Sequence, residues 1–525
     1  MKVWNYDFKN NNQKMFSMLQ LVLCVLATLD EGSSTTYFVK PDHEYYPNKN
    51  AHTLSYYLMN SNKYFSSYTQ LQFLPGIFLL KSDLILQDIK NFIICGNASV
   101  IHCNGLAITV GIINVTDLTI RNVHFANCGK RDSRVFKDNH ETLPYNHSGV
   151  LYLNHCSTVK ISRVIITANP DVSGIIAVNI FAPDVSSFID VRIATSCGYP
   201  NSSLSKVNGI EFYYNDFSYG THLMKTYFIT KIRYYIYENN GLCSSSYALF
   251  LVLIQESYGI SMVVQDTNFS QLYNSSVLYY HAESCGKIID NVLSFINSSI
   301  SHNIGNPLIS LFHILVHSDG YFYSRNRNQS TCDTQFNKIG FYYCYFINNS
   351  NMNSLLYFDL KGTLLVNAYV IISNSNFCFN HKVQIIKVNS EVKILWQLTH
   401  YVAIMSTNMS SNTHPDMVSM VLSTNGLIQF SDCVFKNNTY ETIIQLHLSI
   451  LRFELYTEFS YNFARYVIRA EEGSYYLLKE YTTINITRNL VYKGTVTSIV
   501  YNEYLDQICY YQFISDRGNL DHDIR

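Results

Sequence analysis

LQFLPGIFLLKSDLILQDIKNFIICGNASVIHCNGLAITVGIINVTDLTIRNVHFANCGK, residues Leu71–Lys130, decides the fold class of this chain. It reads as strands of three to six residues broken at Pro75-Gly76, Lys90-Asn91, Gly96-Asn97, Asn104-Gly105 and Arg121-Asn122. Leu118-Thr119-Ile120 and Val123-His124-Phe125 alternate apolar and polar, which is the period of a strand with one buried face. Arg121-Asn122 interrupts that alternation, so a corner is expected there.

The pattern recurs. Anchoring on the inward residue of each strand-and-corner unit gives Phe125, Phe269, Phe346, Phe377 and Phe435, with weaker members at Ile101, Ile166, Ile193, Ile236, Ile300, Met409, Phe459 and Ile484. Most intervals lie between 24 and 33 residues, and the longer ones contain surface insertions such as 131–148 and 318–333. Short strands at this period with no helix between them predict an all-β chain: a single right-handed parallel β-helix, a solenoid of roughly a dozen coils. Leucine-rich, propeller and helical-repeat frames are not found. Asn suits the tight corners because it tolerates the left-handed conformation, and Asn348-Asn349, Asn437-Asn438 and Asn127 are candidate corner ladders.

The segment before this stretch predicts a cap. In His52–Met59, Leu54, Tyr57 and Leu58 share one helical face and Thr53 can cap it. A short helix there covers an open sheet end that otherwise invites pairing. The expected organisation is a signal peptide over 1–27, a cap over 36–70, the β-helix over 71–515 and a tail over 516–525.

The signal peptide rests on Lys9 and Lys14 followed by the apolar run Met15–Leu29, with Val25 and Ala27 suited to a cleavage site. A single membrane anchor is the competing reading of that run, but 15 residues is short for a span. Later runs are too short to cross a membrane as helices. The expected location is therefore extracellular.

Cysteine use fits export. Of 13 Cys, Cys24 falls in the signal, leaving an even number for disulfides. Cys103 and Cys128 follow the anchors Ile101 and Phe125 of neighbouring coils and are expected to pair; Cys344 and Cys378 are the second candidate pair. Sequons for N-glycosylation stand at Asn97, Asn114, Asn146, Asn201, Asn268, Asn274, Asn297, Asn328, Asn348, Asn408, Asn437 and Asn485.

His52–Leu58, Lys63–Gly76, Asp83–Ile89 and Asn114–Ile120 together resemble uncharacterised secreted β-helix proteins of simple animals, of pectin-lyase-like type. The likeness covers about 36–170 and returns at Tyr456–Asn462 and Tyr475–Asn489. It implies a right-handed parallel β-helix outside the cell and says little about activity.

Net charge is −1 with no basic block, so there is no electrostatic case for nucleic acid. The Asp, Arg and His motifs of pectate lyases and polygalacturonases do not occur, nor do zinc-ligand spacings or phosphate-binding loops, so no catalytic residue, metal or cofactor is expected. The charged groups Asp42-His43-Glu44, Asp138–Glu141, His414-Pro415-Asp416 and Asp521-His522-Asp523 read as solvated connections. The surplus is tyrosine, 43 in all, with adjacent pairs at Tyr56-Tyr57, Tyr213-Tyr214, Tyr234-Tyr235, Tyr279-Tyr280, Tyr342-Tyr343 and Tyr475-Tyr476. One ring of each strand pair should face outward, where it can stack on sugar or anchor a protein. The expected function is an extracellular recognition or matrix module that binds protein or glycan, with a polysaccharide lyase or glycoside hydrolase as the alternative.

Overall fold

The computed structural model describes residues 35–42, 50–65, 68–129, 150–154, 156, 158–169, 176–180, 185–195, 210–215, 228–233, 236–239, 248–255, 260–270, 272, 276–283, 289–317, 335–361, 366–391, 400–416, 418–470, 474–478, 483–491, 497–498 and 513–515. The expected signal peptide, the C-terminal tail, both insertions, and the sequons at Asn146, Asn201, Asn274 and Asn328 lie outside them.

The chain is nearly all β. Its described strands form two sheets, one of 25 and one of 15 strands, and the only helices among the described residues are Leu54–Met59 and Ser61–Tyr64. Strand pairing is parallel, and the residue spacing of the chain explains how. Gln335–Tyr342 and Tyr345–Ile347 lie in the first sheet and Ser354–Lys361 in the second. Val366–Ser373 then returns to pair in register with Gln335–Tyr342. This pass thus contributes a long and a short strand to the first sheet and one strand to the second, whereas Asn91–His102, Asp117–Cys128, Thr158–Ala168 and Val185–Thr195 each run as one continuous strand. Later, Leu427–Lys436 and Ile450–Ser460 fuse the long and short strands.

The inward anchors make one file. Phe78, Ile101, Phe125, Ile166 and Ile193 are register partners in turn, as are Phe269, Ile300, Phe346, Phe377, Met409, Phe435 and Phe459. Two anchors read from sequence need correction. Tyr237, not Ile236, stands beside Ile193, and Ile486, not Ile484, stands beside Phe459. Ile484 and Ile486 share one face at a spacing of two, so periodicity alone does not choose between them. Phe346 stacks on Phe377 at 4.4 Å and Phe435 on Phe459 at 4.7 Å; Phe312 of the second sheet meets Phe341 of the first at 5.2 Å. The two sheets therefore share one apolar interior.

Two corners repeat with each pass. At the first, a left-handed residue (Asp266, Asn297, Tyr343, Asn374, Ser406 or Asp432) precedes a buried small side chain: Thr267, Ser298, Cys344, Ser375, Thr407 or Cys433. Each of these side chains donates to the carbonyl two residues earlier, as Thr407 does to Met405 at 2.8 Å. At the second corner, His302, Asn348, Phe379, Ser411, Asn437, Tyr461 and Arg488 are left-handed and exposed or nearly so. Each precedes a buried Asn: 303, 349, 380, 412, 438, 462 and 489. Each buried amide up to Asn462 donates to the Oδ1 of the next, at 2.8–3.1 Å. The same Nδ2 also donates to an anchor carbonyl of the previous pass, as Asn412 does to Phe377 at 2.8 Å. The ladder foreseen at the double asparagines exists, but the second residue of each pair builds it. At Asn127 the next residue is Cys128, which takes the ladder position with a disulfide sulfur.

Helix Leu54–Met59 is capped as its sequence requires: Thr53 Oγ1 accepts from the Tyr56 N–H at 3.3 Å, with Leu54 and Tyr57 buried. Asn122 is left-handed at φ 56°, which puts the corner where the alternation breaks, although the strand Asp117–Cys128 continues through it.

Candidate functional site: the outer face of the second sheet

Register brings together residues that are far apart in sequence. On the outward positions of Ser276–Glu283, Ser310–His317, Ser354–Lys361 and Gln384–Glu391, the partners in order are Tyr279, His313, Tyr357 and Lys387. All four are half-buried, while their neighbours Tyr280, Phe312, Phe358 and Ile386 fill the interior. The outward ring expected of the Tyr279-Tyr280 pair is Tyr279.

The four make a continuous row. The Tyr279 and His313 rings meet edge to face at 5.2 Å, His313 and Tyr357 at 4.8 Å, and the Lys387 ammonium stands 5.4 Å from the Tyr357 centroid. One file along, His281, Leu315, Asp359 and Asn389 are partners, and Asn389 Nδ2 donates to Asp359 Oδ1 at 2.9 Å. Asp359 is 6% exposed although it lies on the outer face. Burial first, then the Asp359 carboxylate, pushes the Tyr357 hydroxyl up, against an opposing hydrogen bond from Asn389. That phenol stays protonated at neutral pH and remains a hydrogen-bond donor. A further file holds Glu283, His317, Lys361 and Glu391 in backbone register.

Such a surface offers flat ring faces flanked by donors and a carboxylate. Sugars present apolar C–H faces and hydroxyls, the kinds of group that rings and donors can engage. The sequence marked the Tyr279-Tyr280 pair but not the row, because the row's members are 30 to 44 residues apart: Tyr279 to His313, His313 to Tyr357, Tyr357 to Lys387.

The remaining sequence candidates fall elsewhere. Cys103 and Cys128 are joined in a disulfide. Cys344 and Cys378 are free thiols, which corrects the second proposed pair. Cys344 occupies the small-residue corner beside Ser375, whereas Cys378 sits on the short strand between Ile347 and Ser410. The two thiols thus belong to different files. Asn297, Asn348 and Asn437 are exposed corner residues, Asn268 is exposed on a short strand, and Asn408 and Asn485 are half-buried on theirs. Asn97 lies exposed in strand Asn91–His102 and Asn114 is an exposed corner residue bonded to Asp88. Asp416 donates its N–H to His414 Nδ1 at 3.2 Å and stands 4.0 Å from Lys382 Nζ. This is a solvent-edge cluster with no partner on the ring row. Asp138–Glu141 and Asp521–Asp523 lie outside the described residues, as do His43 and Glu44. Among the described residues no group of three or more His, Cys, Asp or Glu could hold a metal, and no helix is long and apolar enough to cross a membrane.

No protein-family model matches the chain, and no curated protein matches it. Among solved structures it is similar to a GH136 lacto-N-biosidase from Eubacterium ramulus, at 11% identity and a TM-score of 0.21, over 90% of this chain and 71% of that one. A likeness of that degree fixes neither fold nor chemistry.

Proposed function

We propose that this chain is a secreted, N-glycosylated, right-handed parallel β-helix that recognises saccharides along the outer face of its second sheet. The in-register row of Tyr279, His313, Tyr357 and Lys387 carries the reading. The alternation of passes between two parallel sheets, the asparagine ladder at one corner and the recurring buried small residue at the other support the solenoid, since equivalent residues recur one repeat apart. Export is supported by the apolar N-terminal run after Lys14 and by the disulfide at Cys103–Cys128. Every described sequon lies on the first sheet or at a corner, and none within a strand of the second sheet, so glycans at those positions leave the ring row open. Screening the purified chain on a glycan array tests the reading: it requires a saccharide ligand, and an array without one, repeated with acidic and neutral polysaccharides, removes it.

One observation favours a second reading, glycoside hydrolysis. Asp359 and Glu391 lie on neighbouring strands two register positions apart, so their backbones stand about 8 Å from each other. Inverting hydrolases need a pair of carboxyls several ångströms apart, and the backbone register of these two acidic residues is the reason to test for one. Release of reducing sugar by the wild type but not by Asp359→Asn would carry this reading; no release from any array ligand excludes it.

A further inference from the structure

The cap carries a cluster that the ring row does not use. Tyr56 of helix Leu54–Met59 and Tyr64 of helix Ser61–Tyr64 place their hydroxyl oxygens 3.1 Å apart, with ring centroids at 5.8 Å and an interplanar angle of 48°. Both rings are held from behind. His52 stacks on Tyr56 at 4.0 Å, and Tyr37 and Tyr57 meet Tyr64 edge-on at 5.0 and 5.2 Å. Asn60 pins the turn between the helices by donating to the Tyr56 carbonyl at 2.9 Å. Tyr56 is 37% exposed and Tyr64 is half-buried, so a reagent in solvent reaches the pair.

We propose that Tyr56 and Tyr64 form an intramolecular dityrosine cross-linking site, oxidised by a haem peroxidase with hydrogen peroxide. Each phenol gives up one electron to the peroxidase and one proton to solvent. The two radicals couple at ring carbons ortho to the hydroxyls, forming one C–C bond. Both ortho C–H protons leave as the rings rearomatise and the O–H groups are restored. Two ring C–H bonds are lost in sum, and the two electrons and two protons reduce peroxide to two waters. Proximity is what the fold supplies: coupling within a held pair competes well against encounters between separate molecules. The phenols are also unequal. The Tyr56 hydroxyl, then the Lys63 ammonium, hold Tyr64 below the ordinary tyrosine value, while the same contact raises Tyr56.

Treating the full chain with a haem peroxidase and peroxide, then digesting with trypsin, tests this directly. Cleavage after Lys49, Lys63 and Lys81 separates the tyrosines into peptides 50–63 and 64–81. A joined pair two hydrogens lighter than their sum is expected, with fragmentation placing the link at Tyr56 and Tyr64. Tyr56→Phe and Tyr64→Phe should each abolish it, and Tyr68→Phe should leave it. Dityrosine found only elsewhere, only between molecules, or not at all overturns the proposal, as does a conjugate that survives Tyr64→Phe. The outcome is independent of saccharide binding.

Discussion

Asn380 and Asn412, 32 residues apart in sequence, are joined in the interior by two hydrogen bonds. The Asn380 N–H and its Nδ2 both donate to Asn412 Oδ1, at 3.1 and 2.9 Å. Because Asn412 Nδ2 donates back to the Phe377 carbonyl and onward to Asn438 Oδ1, each amide is fully used with no water needed. Such a network rigidifies when complete and is costly when broken.

Asn412→Ala should therefore destabilise the chain by about 2–5 kcal/mol, since it takes the partner from two Asn380 donors and from the Phe377 carbonyl in the interior, while Asn438 Oδ1 keeps only the Asn412 N–H. Asn412→Asp keeps the acceptor but sets a carboxylate against the Phe377 carbonyl and Asn438 Oδ1, so its loss should shrink as pH falls. Chemical denaturation at neutral and acid pH measures both effects. A change within experimental error for Asn412→Ala would show that the ladder is dispensable.

The exposed neighbour of Asn380 predicts the opposite sign. Phe379 is left-handed at φ 58° with 60% of its surface exposed, so its ring gains little from packing while its Cβ meets the following carbonyl. Phe379→Asn should raise stability by roughly 1 kcal/mol. Phe379→Val should lower it, because β-branched residues fit this conformation worst. Thermal melts of the two variants against wild type decide the matter.

Thiol reactivity should follow the corner geometry. Burial pushes Cys344 and Cys433 up to about 12, so little thiolate exists near pH 8. Neither should be alkylated in the folded chain, and both should react once denaturant is added. Fast labelling of Cys344 in the native protein would contradict its placement in the small-residue corner.

His414 gives a pH dependence. Burial first, with Lys382 and His381 adding to it and Asp416 opposing, lowers its value below the usual 6.5. The unfolded chain then binds the proton more readily than the folded one. Stability from this residue is full above about pH 6.5 and is lost as pH falls through the folded value. Denaturation curves across this range should slope less in His414→Gln than in wild type.

Much of the fold was legible because its strongest signals are backbone requirements. A Phe two or three residues before an Asn marks both an inward anchor and a corner, and nearly all the anchors are register partners. The misses share one cause. At Ile484 two apolar residues occupy the same face, and at Cys344 and Cys378 a thiol counts as a position without its file being known. The ring row was half legible: the tyrosine pairs said which kind of residue would face outward. Only register shows that Tyr279 and Tyr357 flank His313.

The most direct test of the recognition account is the affinity of Tyr357→Ala for the best array ligand, compared with wild type and with Tyr369→Ala. Tyr369 is equally a strand tyrosine, 41% exposed, but lies on the first sheet. Loss of one stacked ring is worth about 1–3 kcal/mol, so roughly a ten- to hundred-fold weakening is expected for Tyr357→Ala and none for Tyr369→Ala. Unchanged binding by Tyr357→Ala, or equal weakening by both, would contradict a saccharide site on the second sheet.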